Sequence, residues 1–187
     1  MFNRFGEKKL AVGERVRRSE KVTRGMVAIA AILACTLGAP LPAQTPQHLP
    51  RPVDLAASSA SATAEGRALL VLFSETGCPW CERLRREYLL PLQRNSEFQK
   101  KVMSVEIDVD ASTPLRDFAG RPGTQAELAR RYGIRIMPTV LLLGPDGTAL
   151  AEPLVGFASS DFYGAYLDER IDAALLALKA RRVAAAK

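Results

Sequence analysis

Six consecutive apolar residues, Ala68-Leu69-Leu70-Val71-Leu72-Phe73, leave a chain little choice of local structure. The run has strand length and is bounded by Gly66 on one side and Thr76-Gly77 on the other, so it predicts a buried central strand. A different period follows. Leu84, Tyr88 and Leu92 recur every four residues with Arg83, Arg85, Arg86 and Glu87 between them, which is the pattern of a helix with one apolar face. At the junction stand Glu75 and then Cys78-Pro79-Trp80-Cys81. Pro79 suits the first helical turn, where the N–H it lacks has no helical partner to lose and its φ is already helical.

A thiol at a helix N-terminus faces unpaired backbone N–H groups and the positive end of the helix dipole, both of which favour thiolate over thiol. Cys78 is therefore the expected nucleophile. Cys81, one turn into the helix, is placed to attack a mixed disulfide on Cys78 and release the partner, which makes it the resolving thiol. Cys-x-x-Cys is also half of many tetrahedral zinc sites. A closed site needs four ligands, and the chain has one further cysteine, Cys35, and one histidine, His48, both outside the expected domain. Redox chemistry is the preferred reading, with no metal. Trp80, the only tryptophan, lies between the two sulfurs at an expected exposed helix start, where contact with a bound partner is favoured over core packing.

The basic excess of the chain is not spread over this region. Residues 1–25 hold eight Lys or Arg against three acids, a net of +5 out of +6 for the whole chain. The remainder is nearly neutral, which argues against a nucleic-acid partner. Met26 to Gly38 is apolar and uncharged but short for a membrane span, so it reads as the core of an export signal. Leu41-Pro42-Ala43 offers a cut before Gln44 that releases a free protein, giving a signal peptide over residues 1–43. Ile32-Leu33-Ala34-Cys35 alternatively resembles a bacterial lipobox, in which Cys35 is lipidated and becomes the mature N-terminus. Arg17-Arg18 is followed by Ser19-Glu20 where a twin-arginine signal expects apolar residues. From residue 44 to 61 the chain is rich in Pro, Ala and Ser and reads as a flexible linker with a solvated His48; a short Ala-rich helix over 54–65 is the alternative for its end.

After the helix, which Pro91 is expected to bend, Asn95 or Ser96 caps a short helix and Val102 to Val109 alternates as a strand. Residues 110–124 read as loop. Thr124 and Glu127 form a capping box for a helix that ends at Gly133. A strand over Thr139 to Leu143, a Pro145-Asp146-Gly147 turn into Thr148 to Leu150, and a last helix from Ser159 or Ser160 with a stripe of Leu167, Ile171, Ala174, Leu175 and Leu178 complete the chain. This order implies an α/β fold, a mixed sheet with helices on both faces.

Four features now carry a resemblance: the strand running into Cys78-Pro79-Trp80-Cys81, Tyr132-Gly133-Ile134 leading to Met137-Pro138-Thr139, the Pro145-Asp146-Gly147 turn, and Val155-Gly156-Phe157 before the last helix. The sequence resembles the thioredoxin superfamily, and more closely the secreted bacterial thioredoxins of the SoxW type, over about residues 62 to 180 of a domain set at 62–187. The resemblance implies a thioredoxin fold, a cis Pro138 facing the cysteine pair, and a Met137 whose backbone meets an extended substrate segment alongside Pro79 and Trp80. That family buries an acid six residues before the first cysteine, where this chain has Leu72, and Glu75 is the candidate replacement as proton acceptor. Pro79-Trp80 is neither the Gly-Pro of cytoplasmic thioredoxins nor the Pro-His of the strong periplasmic oxidant. The missing histidine cation favours reductant or isomerase-like potentials.

The expected function is that of a periplasmic thiol-disulfide oxidoreductase, reducing protein or small-molecule disulfides through Cys78 and Cys81 as a monomer. Its only redox group would be that disulfide, and a membrane electron donor of the DsbD type would recharge it. The alternatives are a disulfide-donating oxidase or isomerase, and a thioredoxin-fold metal-binding or interaction module without turnover.

Overall fold

The computed structural model describes residues 48–157 and 160–185. The expected export segment, Cys35, the expected cut after Ala43 and the first part of the expected linker lie outside the described residues. In chain order the elements are α1 (Leu55–Ala64), β1 (Ala68–Ser74), α2 (Pro79–Leu84), a π-helical turn (Arg85–Leu89), α3 (Leu90–Leu92), α4 (Ser96–Lys101), β2 (Val102–Asp108), β3 (Pro114–Arg116), β4 (Pro122–Thr124), α5 (Gln125–Arg131), β5 (Thr139–Leu143), β6 (Leu154–Val155) and α6 (Ser160–Ala185).

Every residue of β1 is buried, as its unbroken apolar run requires. It pairs parallel with β2 and antiparallel with β5, in a mixed sheet of order β2-β1-β5-β6. Alternate residues of β1 feed two cores. Leu70 and Leu72 pack with Leu84 of α2, Leu89 of the π-helical turn, and Leu167, Ile171, Ala174 and Leu178 of α6. Leu69, Val71 and Phe73 pack on the opposite face with Leu55 of α1 and Leu128 and Ala129 of α5. The chain thus has the expected thioredoxin fold, a mixed sheet with helices on both faces.

The predicted caps of α4 and α5 form; Ser159 and the Ser160 side chain, the expected caps of the last helix, lie outside the described residues. Asn95 accepts from the amides of Glu97 and Phe98, and Thr124 and Glu127 exchange both bonds of the capping box. The expected bend at Pro91 takes the form of the π-helical turn just upstream. Pro91 has no N–H to return to the carbonyl of Glu87, and the Leu90 amide reaches back five residues to the Arg85 carbonyl.

Three segments differ from the sequence reading. The linker ends earlier than residue 61: Leu49 and Leu55 are buried, the Pro50 carbonyl accepts from the Glu106 amide at 2.9 Å, and Asp54 caps α1. Buried Leu49 and Pro52 and backbone hydrogen bonds from β2 to the Pro50 carbonyl and from β3 to the Val53 carbonyl hold this strap down, and residue pattern does not register the backbone bonds. Residues 110–124 contain the β3–β4 hairpin. The strand expected at Thr148 to Leu150 is reduced to a single bridge, Leu143 to Ala149, and β6 pairs with β5 instead. The turn before it is fixed by contact: Gly147 has φ +78, a Cβ there would meet the Phe118 ring at 2.6 Å, and Tyr132 Oη donates to its carbonyl at 2.7 Å.

The β3–β4 hairpin is closed around Asp117, a buried carboxylate. Its Oδ1 accepts from the amides of Ala119 and Arg121, and its Oδ2 from Arg121 Nε at 2.9 Å and Arg131 Nη1 at 2.6 Å. Burial opposes ionisation, but these donors, Arg131 first, outweigh it and hold the carboxyl below the usual carboxylate range. Because the folded-state value lies below the unfolded one, the stabilisation is complete above about pH 4 and is lost as the pH falls further. Asp117→Asn is expected to lower the urea midpoint at neutral pH, with the gap to wild type closing below about pH 4. Urea melts at both pH values check this, and a gap that does not narrow in acid would contradict it.

Candidate active site

β1 delivers the chain to the surface at its C-terminal end. Gly77, with φ +76, makes the turn that lets the chain leave the strand and start a helix, and the Cys78 amide closes on the Glu75 carbonyl at 3.3 Å. Cys78 is then the N-cap of α2, with Pro79 in the first turn. The Cys78 sulfur accepts from the Cys81 amide at 3.1 Å, the place a side-chain oxygen takes in an ordinary cap. Cys78 and Cys81 are joined as a disulfide with their Cα atoms 5.3 Å apart.

The two sulfurs are not equivalent. Cys78 is half-buried, whereas Cys81 is 0% exposed, on the side of α2 that packs on the sheet. Trp80 projects outward with 52% of its surface exposed. Met137-Pro138 is a cis peptide, and the register Phe73 to Thr139 sets Pro138 beside the end of β1 from which the cysteine loop departs. The Pro138 carbonyl accepts from the Gly156 amide at 2.8 Å, which brings Val155 and Ile136 to the same rim. Glu75 is half-buried and lines a pocket of about 220 Å³ beside the loop, with Thr76, Glu82 and Asp108 among its neighbours.

The acid that lies beneath the helix is a different residue. Leu72 is buried in the apolar core, and its cross-strand partner on β2 is Glu106, 0% exposed and on the same face of the sheet. Arg85 Nη1 donates to Glu106 Oε1, as does Ser74 Oγ at 2.6 Å. The Leu49 amide donates to Oε2 at 3.2 Å, and Nδ1 of His48, which is exposed as expected, stands 3.6 Å from the same oxygen. Removing one member of such a buried pair typically costs about 3–5 kcal/mol. None of Ser74, Arg85 and Glu106 was singled out from sequence, because Glu106 alternates with Val105 and Ile107 and so reads as the wet side of a strand. One signal was present: a strand beside a wholly apolar central strand is itself covered on both faces.

Residues 55–171 match the Thioredoxin-like domain family. Among solved structures, the chain is similar to oxidised mitochondrial thioredoxin 3 from Saccharomyces cerevisiae, at 18% identity over 66% of this chain and 93% of that one, with a TM-score of 0.44. It is similar to thioredoxin from Fasciola hepatica at 19% identity over 66% and 97% of the two chains, TM-score 0.45. It is also similar to the reduced periplasmic thioredoxin SoxS from Paracoccus pantotrophus, at 22% identity over 57% and 98%, TM-score 0.40. No curated protein matches.

The burial difference between the sulfurs has a direct readout. In the reduced protein, iodoacetamide is expected to modify Cys78 at least about tenfold faster than Cys81, because thiolate character and access both favour Cys78. Peptide mapping of a partial reaction checks the order, and equal rates would remove the assignment of the two thiols.

Proposed function

The chain belongs to the thioredoxin-like family, and from that premise we propose that it is an exported thiol-disulfide oxidoreductase that works mainly as a reductase. The observation that carries this reading is the Cys78 sulfur at the cap of α2, within 3.1 Å of the Cys81 amide, with Cys81 buried behind it. In the dithiol state the Cys78 thiolate attacks one sulfur of a substrate disulfide, and the other leaves as a thiolate that takes up a proton. The Cys81 thiolate, whose proton balances the one taken up by that departing thiolate, then attacks the Cys78 sulfur of the mixed disulfide. The bond to the substrate breaks, the second substrate thiol is released, and Cys78–Cys81 is left oxidised. Two electrons have passed to the substrate.

Those electrons must be returned. The basic segment at 1–25 and the apolar stretch Met26 to Gly38 support export, and an oxidising compartment offers no reductant pool of its own. A membrane dithiol carrier of the DsbD type, acting on the same disulfide, fits that need. Whether the mature chain starts at Gln44 or at a lipidated Cys35, the reacting pair is the same. The Pro79-Trp80 dipeptide, which supplies no cation to the thiolate, supports a reducing rather than a strongly oxidising potential.

The substrate is best read as an extended protein segment. Trp80, Ile136 and Val155 are 52%, 55% and 57% exposed, an apolar surface on the elements that surround the sulfur rather than in the core. Met137 and the cis Pro138 lie between the last two in the chain and the cysteine loop, where a bound backbone would run.

Insulin reduction is the decisive assay. Cys78→Ser is expected to abolish turnover, while Cys81→Ser retains attack and accumulates mixed disulfides that can be isolated and identified. Capture by Cys78→Ser instead would reverse the roles. Equilibration with glutathione is expected to give a potential at or below about −200 mV; a value near −120 mV would mean an oxidase.

Trp80→Ala is expected to lower reduction of insulin by a larger factor than reduction of a small aromatic disulfide, with little change in melting temperature, since Trp80 is half-exposed and belongs to neither core. Equal losses on the two substrates would place recognition elsewhere.

A further inference from the structure

Glu106 and Arg85 have no part in the sulfur exchange just described, yet they form a buried ion pair directly beneath the helix that carries it. Ser74 lies four residues before Cys78 and Arg85 four residues after Cys81, and both donate to the same oxygen of Glu106. One carboxylate therefore ties down both flanks of the redox loop. Its other oxygen is satisfied by the Leu49 amide of the strap, so three separate parts of the chain converge on it.

We infer that Glu106 is a positioning residue that sets the acidity of the redox cysteines by cancelling the charge of Arg85. This rests on the oxidoreductase reading and adds to it what tunes the site. Arg85 follows the fully buried Cys81 by one helical turn on the same face of the helix, so its guanidinium is a cation held out of water on the side of the helix that carries the buried sulfur. Reduction creates a negative sulfur at Cys78. An uncompensated Arg85 would favour that thiolate and with it the dithiol; the paired carboxylate removes the effect and leaves the disulfide harder to reduce. The other charged groups lining the pocket beside the loop are Glu75 and Glu82 from its own segment, Asp108 from β2, and His48 and Arg51 from the strap. Arg51, Glu82 and His48 are open to water, where ions screen them, whereas the Arg85–Glu106 pair is not.

The two halves of the pair act with opposite sign, which makes the idea testable. In Glu106→Gln, Arg85 is left unpaired: the pH midpoint for Cys78 alkylation is expected to fall, and the glutathione equilibrium to shift toward the dithiol, each on the order of tenfold. For a two-electron couple that is about 30 mV. In Arg85→Gln both quantities are expected to move the other way, and in the double variant to lie within about twofold of wild type. Ser74→Ala, which removes a donor without changing charge, is the control and is also expected within about twofold.

A merely structural pair would stabilise oxidised and reduced protein alike. Melting temperatures would then fall while both redox readouts stayed within about twofold of wild type in whichever single variant folds, and that result, a shift of the wrong sign, or an equal shift in Ser74→Ala would overturn the inference. Failure of the underlying reading looks different: a wild-type disulfide that dithiothreitol and glutathione cannot open. The alkylation profile requires only free thiols and is independent of any substrate.

Discussion

Complete burial of β1 is the constraint from which the rest follows. A strand with seven buried residues must be covered on both faces and flanked on both edges, and the chain does so with β2 and β5 beside it and α1, α2, α5 and α6 above and below. A strand so enclosed can reach solvent only at its ends. The reactive loop sits at its C-terminal end, on a frame that cannot shift without opening two cores.

That placement gives the two sulfurs different surroundings without any special side chain. The helix start supplies the Cys81 amide to the Cys78 sulfur, while the helix geometry that puts Cys81 three residues on also turns it toward the sheet and out of water. In the proposed cycle, the outward sulfur meets substrates and the inward one meets only its neighbour. In that cycle the same burial would limit leakage, because Cys81 is 0% exposed.

Burial has a polar consequence on β2. The strand adjacent to β1 lies under the active-site helix on one face, so its alternating Glu106 is enclosed and needs partners. It finds them in Arg85, Ser74 and the Leu49 amide, and in doing so ties the strap, the end of β1 and the active-site helix to one atom group. The π-helical turn starting at Arg85 belongs to the same arrangement, since Pro91 withholds a hydrogen bond and the widened turn begins at the residue whose guanidinium points inward. On the opposite side, Asp117 plays the corresponding part for the β3–β4 hairpin, with two arginines and two amides around one carboxylate.

The sequence alone determined those parts that depend on local pattern. An apolar run of strand length, a four-residue apolar period, a capping box and a Cys-x-x-Cys at a strand-to-helix junction are short-range signals, and β1, α2, α5, β5 and the position of the cysteines at a helix start were all legible from them. The expected export signal and Cys35 come from the same kind of short-range pattern and lie outside the described residues. What only the tertiary structure decided are contacts between distant segments. Leu49 and Glu106 are 57 residues apart, and Ser74 and Glu106 are 32 apart. Strand alternation fixes which side of β2 Glu106 occupies but not whether that side is wet or covered; the neighbour that covers it is a helix from elsewhere in the chain. The same reason hid the strap, held by backbone groups to β2, and the Asp117 hairpin, closed by an arginine from the following helix. Hydrophobic period reports what each segment wants to bury, and polar partners across the fold are settled only when the segments meet.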